Sequence, residues 1–497
     1  MSARRWLFVV WACALTRLLF YAAMLPIWEG YDEWSHFSVI RAVASGQLLP
    51  PRDAPVPDDV AASLRSMPVP WELRYLDPPS ETHDDFWRHD ASPAPGPPPP
   101  APKLTAYESL QAPLYYWLMA PLLRLLGGCS LATQVLTLRF AAVLIASFTI
   151  PLVFSLALGA FADRRLALGC AAIVTVMPGF AFDVARVSND CLAVLLFTAF
   201  LMLAAGRTGT VRGLPAWLPA GIVLGLGLLT KAYFLTALVA ALWMPRTILV
   251  GLGISGWWYV RNLLTTGTLT GLSESVMLRH SGPFTLLYNA FTLPLRTAID
   301  SILLSHFYFG GWSSLTVRSW MYHVFYVVTF AAALGCLFAL RKNTELLRLA
   351  LLYAAFWLGQ LYNVVLIFSS KGVPTSMGWY LYAVIGAEVV LAVAGLRRFL
   401  GLWAPTLGAS LFAALDLYAT HFVAIPYYTG LIRHQPSGAL ESLHISAIRP
   451  AMMFTRLAAF KGPLVTPPLL VALWILYLAA TVTTVAACVR FANQPKA

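Results

Sequence analysis

Glu29, Asp32, Glu33 and His36 crowd into one short stretch, Trp28-Glu29-Gly30-Tyr31-Asp32-Glu33-Trp34-Ser35-His36-Phe37, directly after the first long apolar segment. A carboxylate whose pKa is lifted by partial desolvation can take a proton from an attacking hydroxyl, so adjacent acids at this boundary suit general-base work. Two carboxylates and a histidine beside hydrocarbon are costly to desolvate, and a chain otherwise poor in charge has a use for them there. The stretch reads as the catalytic mouth of a membrane enzyme. Asp32 is the candidate base, and Glu33 stands beside it. Each has a structural alternative: Asp32 could cap the helix that starts at Glu33, and Glu33 could face the positive end of that helix. Asp32 and His36 are four apart and share a helical face, so with a third ligand from Glu33, Glu108 or Asp190 they could hold a divalent metal. An interfacial histidine bonded to a loop carbonyl is the reading taken, and no metal is assigned.

What must position these residues follows from composition. Of 497 residues, 59% are hydrophobic and 11% charged, with mean hydropathy +0.70; soluble domains carry about 25% charged residues. The apolar runs have the length of membrane helices, and nothing alternates as in an outer-membrane barrel. The expected fold is therefore an all-α polytopic membrane protein. The net charge of +12 speaks of topology and lipid contact, with no nucleic-acid partner. Cys13, Cys129, Cys170, Cys191, Cys336 and Cys488 are scattered singly and read as packing residues. The first apolar run, after Arg4 and Arg5, lacks a small-residue cleavage pattern and reads as an uncleaved span.

Basic clusters set the orientation. With Arg4 and Arg5 cytoplasmic, residues 26–130 form a first extracytoplasmic loop holding more than half of the 22 acidic residues. Within it Trp34, Phe37, Ile40, Val43, Ala44 and Leu48 recur at helical spacing, predicting an amphipathic helix along the membrane surface. Ser92 to Pro102 is proline-dense and predicts an extended connector or lid. The segment from 110 to 126, with Pro113 and Pro121, is taken to lie flat or to dip in and return, because only then do Arg164-Arg165, Arg341-Lys342 and Arg397-Arg398 fall inside. Further spans are expected at about 131–160, 166–184, 191–206, 214–230, 232–246, 247–264, 320–340, 349–368, 379–396, 399–425 and 464–488, about twelve in all with the first. The chain divides into a membrane module over 1–264, a loop over 265–319 and C-terminal helices over 320–497 with a loop at 426–463.

Five pieces together resemble the GT-C glycosyltransferases that take sugars from polyprenyl-phosphate carriers, a superfamily that includes protein O-mannosyltransferases and aminoarabinose transferases (glycosyltransferase family 39-like). They are Tyr31-Asp-Glu-Trp-Ser-His-Phe37, Glu108-Ser-Leu-Gln-Ala-Pro-Leu-Tyr-Tyr116, Ser188-Asn-Asp190, Leu229-Thr-Lys231 and Trp258-Tyr-Val-Arg-Asn262. The resemblance implies a GT-C-like bundle and inverting transfer of a sugar from a polyprenyl-phosphate donor to a hydroxyl of a glycan, lipid or protein acceptor. It implies a site on the extracytoplasmic face of a bacterial inner membrane. It carries substrate contact to His36, Glu108, Gln111, Tyr115, Arg186, Asp190, Lys231, Arg261 and Asn262. Lys231 and Arg261, with Arg186 next, become the cations for the leaving phosphate. Where such proteins often have Gly-Arg-Tyr-Leu, this chain has Gly378-Trp379-Tyr380-Leu381, and no phosphate contact is assigned there. Two other readings suit a polytopic chain: a polyprenyl-linked lipid transporter or flippase, and a non-catalytic subunit of a polysaccharide-assembly complex. A transporter should carry ionisable residues near the midplane of several spans, whereas Arg17, Arg139, Glu388 and Asp416 are few.

Overall fold

The computed structural model describes residues 3–76, 79–88, 104–206, 210–211, 213–341 and 343–493. The proline-dense connector from Ser92 to Pro102 lies outside the described residues, as do Asp77, Asp90, Arg207, Arg212, Lys342 and Lys496. The described chain is helical apart from a two-residue hairpin, Thr210–Val211 against Leu214–Pro215, and a few isolated bridges.

Six helices among the described residues are long and apolar enough to cross a membrane: Arg4–Met24, Leu131–Phe161, Ser319–Leu340, Thr344–Lys371, Gly378–Tyr428 and Pro467–Ala492. A seventh is the pair Arg164–Val176 and Pro178–Val184, bent by 64° at the proline. Each expected span falls on helix. Length and apolarity alone do not reach twelve: the segments expected at 191–206, 214–230 and 232–246 form the shorter helices Asp190–Ala205, Trp217–Leu228 and Ala232–Leu242, and the one expected at 247–264, helix Pro245–Thr266, is not among the six. Ala232–Leu242 is a 3₁₀ helix. The 51-residue Gly378–Tyr428 run breaks between Leu400 and Ala404, giving the two segments that the sequence predicts there.

Local chemistry sets many of the helix starts. Ser130, Asp163, Asn343 and Thr466 each accept a hydrogen bond from a free first-turn amide of the helix they precede. The ends of the chain meet: Ala3–Met24 packs along Pro467–Ala492 and along Leu131–Ser147. Lys461, from the C-terminal loop, donates to the carbonyls of Ala23 and Met24 and so satisfies acceptors left open where the first helix stops. Deep among the apolar helices, Arg17 and Asp416 form an ion pair at 2.9 Å with neither side chain exposed.

One expectation about the first loop changes. The segment Glu33–Ala44 is a helix, yet nine of its twelve residues are buried, including Glu33, Ser35 and His36; it is an enclosed strut, because the chain from Tyr107 to Leu125 folds over it. The segment taken to lie flat or to dip in and return holds the helix Leu114–Leu125, whose twelve residues rise about 18 Å, well short of the ~30 Å hydrocarbon core. This helix lies against Glu33–Ala44, and its first amide donates to the Leu229 carbonyl at 2.9 Å.

Candidate active site

Asp32 occupies the N-cap position of Glu33–Ala44 but does not cap it. Its backbone sits in the left-handed region (φ 58°, ψ 11°) and its side chain makes no bond to the helix amides. For a residue other than glycine this conformation costs on the order of 1–3 kcal/mol, and the surrounding structure must impose it. Trp28, four residues earlier, is also left-handed at φ 68°. Gly30 lies between them because a Cβ there would stand 2.5 Å from the Cβ of Arg186. The turn is thus pressed against the chain entering Asp190–Ala205, and Arg186 donates to the Tyr31 carbonyl at 2.6 Å.

Glu33 goes the other way. Its Oε1 accepts from Arg139 Nε at 2.6 Å and from the Val187 amide at 2.9 Å; its Oε2 accepts from Arg139 at 2.5 Å and from the Trp28 amide at 3.1 Å. Arg139 also holds the carbonyls of Leu25 and Pro26, both at 2.7 Å. This buried, bidentate pair fixes the turn that presents Asp32 and leaves Glu33 no free oxygen. Arg139 was legible only as a charge inside an apolar run.

The released Asp32 carboxylate accepts from the Tyr107 hydroxyl at 2.5 Å. Burial raises its pKa above the ordinary carboxylate value, while Tyr107, Arg186 and Lys231 pull it back. Glu108 next to Tyr107 is pushed up to about 8, first by burial and then by the charge on Asp32; its Oε2 has no hydrogen-bond partner among the described residues. Burial and the neighbouring Asp32 charge thus hold the Glu108 carboxyl toward its protonated form. His36 is kept neutral, because burial and the nearby Arg186 and Lys231 all disfavour the imidazolium. Its Nδ1 meets the Tyr116 hydroxyl at 2.9 Å, and its Nε2 stands 3.6 Å from Glu108. The loop carbonyl expected for His36 is thus replaced by a tyrosine. Among the described residues no three His, Cys, Asp or Glu side chains are grouped to hold a metal.

The predicted cations divide into two sets. Arg186 bridges Asp183 and Asp190, both at 2.6 Å, and Lys231 is ion-paired with Asp190. Lys231 also lies 5.4 Å from the ring centre of Tyr380. Arg261 makes no ion pair among the described residues; it rests 5.1 Å from the Trp258 ring and lines a small cavity with Gln111 and Tyr116. Arg52, which sequence reasoning passed over, is close enough to Arg261 for the two charges to repel, and its own pKa falls through burial and that repulsion. Asn262 donates to the Thr270 carbonyl at 3.1 Å and lies with Arg52 against Gly271. Tyr115 is fully buried behind Tyr116. Trp379, standing where the resemblance would put an arginine, stacks on Tyr31 with ring centres 3.7 Å apart; that position supports the turn with an aromatic face.

The structure thus brings Asp32, His36, Glu108, Arg186, Asp190 and Lys231 into one electrostatic cluster and sets Gln111, Arg261 and Asn262 beside Arg52 as a second group. Tyr107, Tyr116 and Tyr380 join them; Tyr116 closes the Glu108 motif, Tyr107 precedes it, and Tyr380 lies in the Gly378–Leu381 stretch.

No family model matches the chain, and no curated protein matches it. Among solved structures, ArnT from Cupriavidus metallidurans bound to undecaprenyl phosphate aligns at a TM-score of 0.45 and 14% identity, covering 98% of this chain and 78% of that one. At that score the likeness decides neither fold nor chemistry.

Proposed function

We propose that the chain is an integral-membrane inverting glycosyltransferase that moves a sugar from a polyprenyl-phosphate-linked donor to an acceptor hydroxyl on the extracytoplasmic face. The acceptor oxygen attacks the anomeric carbon, the bond to the phosphate oxygen breaks, the polyprenyl phosphate leaves with the electron pair, and the hydroxyl proton passes to Asp32. The observation that carries this reading is the freed Asp32: strained backbone, no capping bond, and a carboxylate aligned by one tyrosine hydroxyl inside a field of buried cations. Glu108, protonated at neutral pH, donates a hydrogen bond to sugar or acceptor; His36 and Tyr116 orient it. Glu33 is a positioning residue through Arg139.

Arg261, with Arg52, takes the phosphate, because these two have no ion-pair partner among the described residues while Lys231 and Arg186 are committed to Asp190. Fixed cations suit a leaving group that departs as an anion. The Arg17–Asp416 pair, sealed and matched, speaks for structure in the membrane core and against a transport path there.

The test is turnover by the purified protein in nanodiscs, offered polyprenyl-phosphate-linked hexoses and pentoses. Asp32→Asn is expected to abolish transfer while donor binding persists. Turnover by that variant at the parent rate would remove Asp32 from the mechanism.

A further inference from the structure

A second cavity lies between the first loop and the C-terminal loop, with a volume of about 630 Å³, in the range of small-molecule sites. Trp71, Arg74 and Tyr75 form one wall; Arg433, His434 and Glu441 form much of the other. The walls are braced. His434 stacks on Trp71 with ring centres 4.5 Å apart, and the Arg74 guanidinium lies 3.3 Å from the Trp71 ring centre and donates to the Tyr75 hydroxyl at 2.7 Å. Asp84 accepts from the His434 amide at 3.1 Å and meets Nδ1 at 3.2 Å, which leaves Nε2 of this buried imidazole without a partner among the described residues. The loop itself is closed by Gly438 to Gln435 and Glu441 to Arg433 backbone bonds, at 2.8 and 2.9 Å.

His434 is itself mostly buried, so it serves the wall by stacking on Trp71 and pairing with Asp84. The charge lining the cavity cancels, with Arg74 and Arg433 against Asp84 and Glu441, so no strong anion or cation is favoured. The Arg433–Glu441 pair at 2.6 Å and the Asp84–His434 pair offer flat, paired donors and acceptors. Tyr75, 74% exposed, offers an aromatic face at the rim. Planar hydrogen-bonding groups beside an aromatic ring complement a sugar, which presents hydroxyls at its edge and C–H bonds on its face.

We propose that this cavity binds a neutral carbohydrate. Its use as the subsite for a glycan acceptor rests on the transferase reading, and a chain of contacts runs from the residue beside Trp71 toward Asp32. The Glu72 amide donates to the Trp312 carbonyl at 2.9 Å, and the Trp312 ring packs edge-on against Tyr31, the neighbour of Asp32, at 5.6 Å.

The experiment is saturation-transfer NMR on the full chain in nanodiscs, with maltose, cellobiose, mannobiose and diacetylchitobiose as probes and inorganic phosphate and triglycine as controls. At least one disaccharide is expected to receive saturation, with the signal falling tenfold or more in both Tyr75→Ala and His434→Ala and unchanged in Asp32→Asn. Tyr75 is exposed, so its removal leaves the fold in place, and equal unfolding temperatures check this. No transfer to any disaccharide, a signal undiminished in both variants, or binding of phosphate or triglycine instead would overturn the proposal. Sugar binding with full turnover by Asp32→Asn would leave the cavity standing and sink the transferase reading alone.

Discussion

Asp416 and Asp32 are both carboxylates walled in by tyrosines, and the protein treats them in opposite ways. In the membrane core, Asp416 accepts from Tyr21 and Tyr477, each at 2.5 Å, and from Arg17 at 2.9 Å, with no exposed surface. In the first loop, the Asp32 carboxylate has one hydrogen bond among the described residues, on a backbone bent out of the ordinary regions. A buried charge fully matched by fixed partners has nothing left to offer a substrate. A carboxylate held by one hydroxyl, with its proton affinity raised by burial, is poised to accept a proton.

The comparison can be broken most severely at the matched site. Arg17→Met strands Asp416 among apolar helices, and stability is expected to fall by about 3–5 kcal/mol, the usual result of removing one partner of a buried pair; the Arg17→Met/Asp416→Leu double variant should recover much of it. Unfolding in mixed micelles reads both, and a loss under 1 kcal/mol for the single variant would show the pair to be idle.

At the underpaired end, the expected effects are on pH profiles. Glu29, fully buried against Ser313 and 3.7 Å from His83, has its pKa raised from 4.5 to about 8 by burial. Between those values the unfolded chain gives up a proton that the folded chain keeps, so stability declines as pH rises through this window and levels off above about 8. Glu29→Gln should flatten that decline in the apparent unfolding temperature; an unchanged slope would contradict the assignment. In turnover, the acid limb belongs to Asp32 and an alkaline change near 8 to Glu108. Glu108→Gln is expected to erase the alkaline change and keep the acid limb. Tyr107→Phe removes a bond that lowers the Asp32 pKa, so it should move the acid limb to higher pH with a several-fold loss of rate below it, and an acid limb that stays put would separate Tyr107 from Asp32.

Much of the helical layout was legible in the sequence, because apolar length and basic loop clusters report directly on membrane helices. The cluster around Asp32 was legible in part, since charged residues at span ends stand out against so apolar a background. What was hidden depends on pairing. Asp32 and Glu33 are adjacent acids with the same composition around them, and only the reach of Arg139, more than a hundred positions away, separates them. Lys231 and Arg186 likewise look like free cations until Asp190 is seen between them. His434 and Trp71 carry no motif, and they meet only because the C-terminal loop folds onto the first.

The central claim is that neighbouring carboxylates divide the labour, one reacting and the other bracing. Measuring turnover and unfolding together in Asp32→Asn and Glu33→Gln tests it most directly. Asp32→Asn should lose at least about a hundredfold in rate, the usual minimum for a missing general base, with its unfolding temperature kept or raised as a buried charge is removed. Glu33→Gln should unfold much earlier. The reverse pattern, with Asp32→Asn active and Glu33→Gln stable but dead, would contradict the account.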